Sequence, residues 1–514
     1  MNRIKDIFGV SDAQLQSLVA EGLRTGGTWC DLYFEHTTYL DILLRDSQVG
    51  SAGYHIDYGC GIRVLSGEKT GYAYAETTDY PALLSAARSA AGIASTSSAV
   101  AATAASGKAG THWESKDSGK FTKSQISPSS FDPTTDVVPP LPCRGRHAPV
   151  DACLTGCYRM EQDWRTFEVK SIGEFLERLE KEIRRRDARV DKVVAMVSAS
   201  VSDVMMYNSL GELTTDSRPL GSLSVQLVAV QDGKIESRSV SRSLRQGAEF
   251  ISEALLQELA AEAVAGLDES FEAGRPKGGQ MPVVMATGAS GILLHEAMGH
   301  AFEADFNRKG QSIFSDKMGS RICRKGINIV DDGTIPGNRG AVAVDDEGVP
   351  GQKTYMVSDG VLTSYLHDRI SAGFYGVEPT GNGRRESFRY NPIPRMRATY
   401  MESGTDGTLQ DLIGSVKNGI FVDKFANGQV KIGEGDFTFY VKSGFMIENG
   451  RLTRPVKDLN IIGNGPQALA DIVAVASDLK VDDGTWTCGK EQSVAVSCGI
   501  PSVLISNLTV GGGE

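Results

Sequence analysis

A Gly- and Pro-rich stretch at 272–280, with Gly274, Pro276, Gly278 and Gly279, breaks the chain near its middle and separates two halves with different patterning. Before it, helical stripes and β-like runs are mixed. From Met281 onward, Gly-punctuated β-like runs dominate through Leu508, with helical patterns only near 409–417 and 466–476. Strands and helices do not follow strict βαβ order, so the expected class is α+β. A chain of 514 residues also exceeds what one hydrophobic core organises. Two domains are expected: a mixed α/β N-terminal domain with an antiparallel sheet over 1–271, and a β-rich C-terminal domain over 281–514.

In the first half, Leu15, Leu18, Val19 and Leu23 recur at helical spacing, and Gly26-Gly27 end that helix. Short β-branched or aromatic runs at 31–34, 39–43, 61–65 and 71–74 follow, and they fit an antiparallel meander. Ser171 and Glu174 form a capping-box pattern ahead of the stripe Ile172, Phe175, Leu176, Leu179 and Ile183, which predicts an amphipathic helix. Runs at 193–201, 204–207 and 222–230 read as strands, with Gly211 and Asp232-Gly233 as turns. One long helix is expected over 248–267.

Between about 95 and 166 an Ala/Ser/Thr tract gives way to Pro128, Pro133, Pro139, Pro140 and Pro142, and periodicity is lost. This excursion carries Cys143, His147, Cys153 and Cys157, whose spacing matches no standard metal finger, so an irregular loop with free thiols is the expectation. Eight cysteines in all are too sparse for a disulfide scaffold. A net charge of -11 spread along the chain disfavours nucleic acid or an anionic membrane as partner. No secretory leader opens the chain and no run reaches the roughly 18 apolar residues of a membrane helix, so the cytoplasm is the expected compartment.

The most informative words lie at 288–305. A strand at 281–286 leads through Gly288 to a helix that Ser290 could cap, and that helix carries His295, Glu296 and His300. In a zinc-binding His-Glu-x-x-His the two rings are four apart and share a helix face. Here they are five apart, which on an ideal α-helix rotates the second ring by about 140°. One extra residue in the turn, a π bulge, would restore the shared face, and Gly299 is a residue type that tolerates such a backbone. With seven histidines in the chain, a chance His-Glu-x-x-x-His has an expected count of order ~0.01. Spacing alone does not choose a third ligand among Cys488, Cys498 and Cys323, although 494–504 reads as core strand in which Cys498 is a small apolar residue.

The chain resembles the TldD/PmbA metallopeptidases, in particular the TldD-like subunit that bears the His-Glu-x-x-x-His motif. The resemblance extends to Asp31-Leu32-Tyr33-Phe34-Glu35-His36, to 65–71, to Arg384-Arg385-Glu386-Ser387 with Pro392-Ile393-Pro394-Arg395-Met396, and to the tail from Cys488-Gly489-Lys490 to Gly512. It is poorest over the 95–166 excursion. It implies a zinc ion held by His295, His300 and Cys488, three protein ligands that leave one position open for water. It also makes the C-terminal domain the metal-binding, catalytic one.

The expected activity is hydrolysis of peptides or unfolded protein segments, with water activated by the metal and Glu296 as general base. Glu303, three residues after His300, is a candidate to orient that ring, or an ordinary surface carboxylate. His367-Asp368-Arg369 and Arg384-Arg385-Glu386 could meet substrate, but such groups are more often solvated ion pairs. Gly433-Glu434-Gly435-Asp436 lacks the Lys-Ser/Thr of a phosphate loop and reads as a turn feeding a strand. The resemblance further implies a homodimer, or a heterodimer with a PmbA/TldE-like subunit. The alternatives are another zinc amidohydrolase of deformylase type, and a non-catalytic scaffold or regulatory subunit.

Overall fold

The computed structural model describes residues 3–95, 157–431 and 433–511. Its N-terminal sheet has six antiparallel strands: β1 (Trp29–Arg45), β2 (Gln48–Ser66), β3 (Lys69–Ala75), β4 (Val190–Asn208), β5 (Leu213–Gln231) and β6 (Lys234–Leu244), in spatial order β3-β2-β1-β4-β5-β6. The expected meander is present as β1-β2-β3. The runs at 31–34 and 39–43, however, are one strand, and so are those at 193–201 and 204–207. The polar residues that interrupt each pattern are bonded where they lie. Buried Glu35 accepts from Thr37 Oγ1 at 2.7 Å and from Phe388 N at 2.7 Å, and Asp203 accepts from Ser217 Oγ at 2.6 Å. The turn between β5 and β6 puts Asp232 and Gly233 at φ 51° and 79°, the pairing that a two-residue hairpin needs.

One face of this sheet is the alternating apolar set Val193, Ala195, Val197, Leu223, Val225 and Leu227, covered by helices Val169–Arg186 and Glu253–Val264. The stripe Ile172, Phe175, Leu176, Leu179 and Ile183 is buried there. Ser171 is not its cap: the helix starts earlier, behind Glu168, and has no side-chain cap. The single helix expected at 248–267 is also three pieces. Ser252 caps Glu253–Val264 through Leu255 N, and Gly266 at φ 74° turns the chain before Leu267–Glu272.

Of the 95–166 excursion, Cys143, His147 and Cys153 lie outside the described residues. Its last ten residues are irregular in backbone, as expected, but they pack into the body instead of lying on the surface. Trp164 is buried against Phe250, and the Tyr158 hydroxyl accepts from Ala343 N at 2.9 Å while donating to Asp216 at 3.1 Å.

The C-terminal half holds two larger sheets. In one, β7 (Gly279–Met285) pairs in parallel with Asn418–Val430 and antiparallel with Val503–Gly511. The pairing continues through Leu459–Asn464 and Asp436–Glu448 back to Asn418–Val430, so five strands close into a ring. The other sheet runs Val361–Leu362, Lys353–Ser358, Ile329–Asp332, Ala398–Met401, Ser497–Ile500 and Lys480–Val481. One core joins them, with Val283, Phe302, Phe439, Ile461, Ile500 and Ile505 fully buried or nearly so. Helix Leu409–Ser415 lies where one was expected, but 466–476 is a short helix, Gly465–Ala470, followed by strand Ile472–Val475.

Candidate metal centre

The chain leaves β7, turns at Gly288 (φ 81°) and enters a helical segment that changes pitch three times and closes in a tight turn, His300–Phe302. A tight turn, Ala289–Gly291, and a short α-helical stretch, Ile292–Leu294, lead into a π turn, His295–Gly299, in which His300 N donates to His295 O. That i→i+5 bond is the extra residue the His295/His300 spacing calls for. Gly299 serves it differently from expectation. Gly299 and His300 keep helical dihedrals, Gly299 at φ -58°, and a Cβ on Gly299 would sit 2.1 Å from Met396 Sδ, so any side chain there would have to displace Met396. Ser290 does not cap the helix, and its hydroxyl is buried with no partner among the described residues.

Cys488 comes from a hairpin, Thr487–Lys490 with Gln492–Ala495, that reverses at Glu491 (φ 57°). The structure brings His295, His300 and Cys488 together: their nitrogen and sulfur atoms lie within 4.8 Å of one another, all three buried. The imidazoles stand edge to face with centroids 5.2 Å apart, and His300 Nε2 is 3.2 Å from Cys488 Sγ. His300 Nδ1 is bonded to Glu303 Oε2 at 2.9 Å, which leaves Nε2 as the donor atom facing the cluster. His295 Nδ1 is buried without a hydrogen-bond partner. Glu296 is half-buried on the same turn, and its charge adds to the upward push that burial gives the Cys498 thiol. Cys323 and Cys498 are buried in the core, outside the cluster.

Burial would raise the Cys488 thiol, but the charges and hydrogen bonds of His295 and His300 outweigh it and hold it down to about 4. His300 is the counterpart. Burial lowers it, and Glu303 and Cys488 lift it to about 10. A thiolate beside two imidazoles, with one imidazole already oriented by a carboxylate, is a donor set suited to a borderline-soft divalent ion.

Glu303 is not a surface carboxylate; it is fully buried, and burial is outweighed by Lys490 and His300, which hold it down to about 2. Sequence reasoning gave Lys490 and Arg395 no role. Lys490 Nζ lies 3.0 Å from Glu303 Oε2, and Arg395 donates to Cys488 O at 2.7 Å. The available signal was the strand period, which puts Lys490 on the face of Cys488. The other candidates are not solvated ion pairs. Arg384 is buried and donates to Ala495 O at 2.7 Å, Arg385 lies 4.2 Å over the Tyr33 ring, and Asp368 caps helix Arg369–Tyr375 through Ser371. Among the described residues no helix is long and apolar enough to cross a membrane.

Three family profiles match the chain: "PmbA/TldA metallopeptidase domain 1" over residues 30–94, "PmbA/TldA metallopeptidase central domain" over 163–267 and "PmbA/TldA metallopeptidase C-terminal domain" over 278–512. A Haemophilus influenzae protein named "Metalloprotease TldD homolog" is 37% identical over 94% of this chain and 93% of its own length. A Saccharolobus solfataricus protein named "Zinc metalloprotease TldD homolog" is 34% identical over 46% of this chain and 53% of its own length. Among solved structures, TldE from Thermococcus kodakarensis superposes with a TM-score of 0.70 at 17% identity, covering 97% of this chain and all of its own. At that identity the likeness is one of fold.

Proposed function

Because this chain belongs to the TldD/PmbA family of metallopeptidases, we propose that it is a zinc-dependent peptidase in which His295, His300 and Cys488 bind the metal and Glu296 is the general base. The observation that carries this reading is the convergence of two imidazoles and one cysteine sulfur, from elements far apart in the chain, within 4.8 Å. Zinc bound there supplies Lewis acidity toward a peptide carbonyl and lowers the pKa of a water to ~7. Glu296 takes the proton of the attacking water and hands it to the leaving amine. Glu303 keeps the His300 ring in the orientation that presents Nε2, and the apolar wall of Leu293, Leu294, Met298 and Phe302 keeps bulk water off the helix behind it.

The substrates are peptides or unfolded segments, bound through main-chain hydrogen bonds that give low side-chain selectivity. The active assembly is a dimer, either of this chain or with a PmbA/TldE-like subunit, and the fold shared with a TldE protein supports that pairing. The test is zinc content together with cleavage of casein and of short peptides, with and without a co-expressed partner. One zinc per chain and internal peptide cleavage are expected. Loss of a small acyl group as the only product would favour the deformylase-like alternative, and a protein that takes up no zinc would end the proposal.

A further inference from the structure

The proposed ligands sit on two elements whose meeting needs an explanation: His300 opens the last turn of a helical segment, and Cys488, 188 residues later, lies on a hairpin. We propose that Lys490, acting with Arg395, is the positioning residue that clasps these two elements and sets the affinity of the centre for its metal; the inference rests on the zinc reading above.

Lys490 lies on the hairpin itself, two residues after Cys488. Its ammonium is buried and meets three acceptors: Glu303 Oε2 at 3.0 Å, Asp305 Oδ1 at 2.8 Å and Pro394 O at 3.1 Å. An ammonium has three protons, so the group is fully satisfied and its direction is fixed. Glu303 Oε2 is the same oxygen that bonds His300 Nδ1. One carboxylate oxygen therefore ties the hairpin that carries the sulfur to the ring that supplies the nitrogen.

Arg395 grips from the other side. It is fully buried and donates to Cys488 O at 2.7 Å and Gln492 O at 2.8 Å, the two arms of the hairpin. Its Nε faces Glu303 Oε1 across 3.9 Å, and neither of those atoms has a hydrogen-bond partner. The two oxygens of Glu303 thus each face a cation anchored to the Cys488 hairpin. Deleting Lys490 leaves a buried carboxylate short of countercharge, an arrangement a protein relieves by moving the group. Movement of Glu303 releases the His300 ring and loosens the hairpin at once. An ion pair that only stabilised the fold would have no reason to fall on the two metal-bearing elements.

The experiment measures the zinc dissociation constant of the full-length protein by competition with a chromogenic chelator. The variants are Lys490→Met, Glu303→Gln, the double variant and, as control, Lys457→Met, each with a thermal melt of its metal-free form. Lys490→Met and Glu303→Gln should each weaken zinc binding by about 10–100-fold, the usual effect of losing a residue that orients a ligand. The double variant should lose no more than about threefold beyond the weaker single, because both changes open the same clasp. Lys457→Met, which removes a part-buried ammonium bonded to Glu236 and to Ser270 O on elements that carry no proposed ligand, should stay within about threefold of wild type.

Zinc binding by Lys490→Met within threefold of wild type, additive losses in the double variant, or an equal loss in Lys457→Met would each overturn the clasp. Should Lys490→Met not fold, unchanged affinity in Glu303→Gln overturns it as well. Wild-type protein that binds no zinc instead removes the ligand assignment on which the clasp depends.

Discussion

Replacing Gly291 by Ala tests how the metal-bearing helix is seated. Gly291 has ordinary helical dihedrals (φ -57°), so backbone freedom is not what the position requires. The need is contact. A Cβ there would lie 2.4 Å from Gly499 N and 2.7 Å from Gly499 Cα and C, where ordinary contact begins at 3.4 Å. Those atoms cannot swing aside, since they are the backbone of strand Ser497–Ile500, paired on both sides by Ala398–Met401 and Lys480–Val481. The helix must therefore rise by about 1 Å, and overpacking of this kind costs about 1–3 kcal/mol. Higher helix propensity of Ala offsets up to about 1 kcal/mol. Gly414→Ala is the matched control, because Gly414 lies inside helix Leu409–Ser415 and a Cβ there meets nothing within 4 Å. In urea unfolding, Gly414→Ala should gain up to about 1 kcal/mol, whereas Gly291→Ala should lose about 1–2 kcal/mol. His295 lies one turn beyond Gly291, so the lift should also cost about 100-fold in peptidase rate, the scale of a 1 Å misplacement. Equal stability of the two variants would refute the close-contact argument.

Glu296→Gln should lower peptide cleavage by about 10²–10⁴-fold with zinc content unchanged, and a variant of undiminished activity would take Glu296 out of the proton transfers. Cys488→Ser should weaken zinc binding by more than the about 10–100-fold expected from losing a supporting residue; an unaltered dissociation constant would show that the sulfur is not a ligand. A pH effect follows from Glu35, whose carboxyl burial pushes from 4.5 up to about 7 against the hydrogen bonds of Thr37 and Phe388. The folded chain then holds a proton that the unfolded chain has lost, so this contribution to stability is present below pH 4.5 and fades as pH rises through 7. Glu35→Gln removes that dependence. Its stability relative to wild type should climb by about 3 kcal/mol between pH 4.5 and pH 8 and then level off, and a difference that does not change with pH would count against the buried, protonated carboxyl.

Much of the first half was legible because its signals are local. The apolar stripe from Ile172 to Ile183 and the Asp232-Gly233 turn needed only neighbours in sequence, and both stand in the structure. The errors share a cause in the tertiary partners of polar residues. β1 reads as two strands while Glu35 and Thr37 look like an interruption, and as one once Phe388, more than 350 residues away, is seen to donate into Glu35. The Ser171/Glu174 pattern mimics a cap because a capping box needs only two residue types, whereas the helix start is fixed by where packing of the stripe begins. The arginines at 384 and 385 read as solvated for the same reason, their carbonyl and ring partners lying on other elements.

The site divides along the same line. His295, Glu296 and His300 are within six residues, so their relation, including the π turn that a five-residue step demands, could be argued from helix geometry alone. The third donor could not: Cys488, Cys498 and Cys323 are all buried thiols, and local pattern marks only Cys498 as a core-strand residue without choosing between the other two. What sets Cys488 apart in space is the company it keeps. Burial raises the thiols of Cys498 and Cys323, whereas two imidazoles bring that of Cys488 down. Distant contacts, then, decide which sulfur is a thiolate, and the residues that enforce those contacts, Lys490, Arg395 and Glu303, are themselves buried charges that make sense only as a group. A buried charge in a chain of this size is costly unless it is paired. When two cations face one carboxylate beside a cysteine sulfur and two imidazoles, the economical explanation is that the cluster maintains the geometry of those donors.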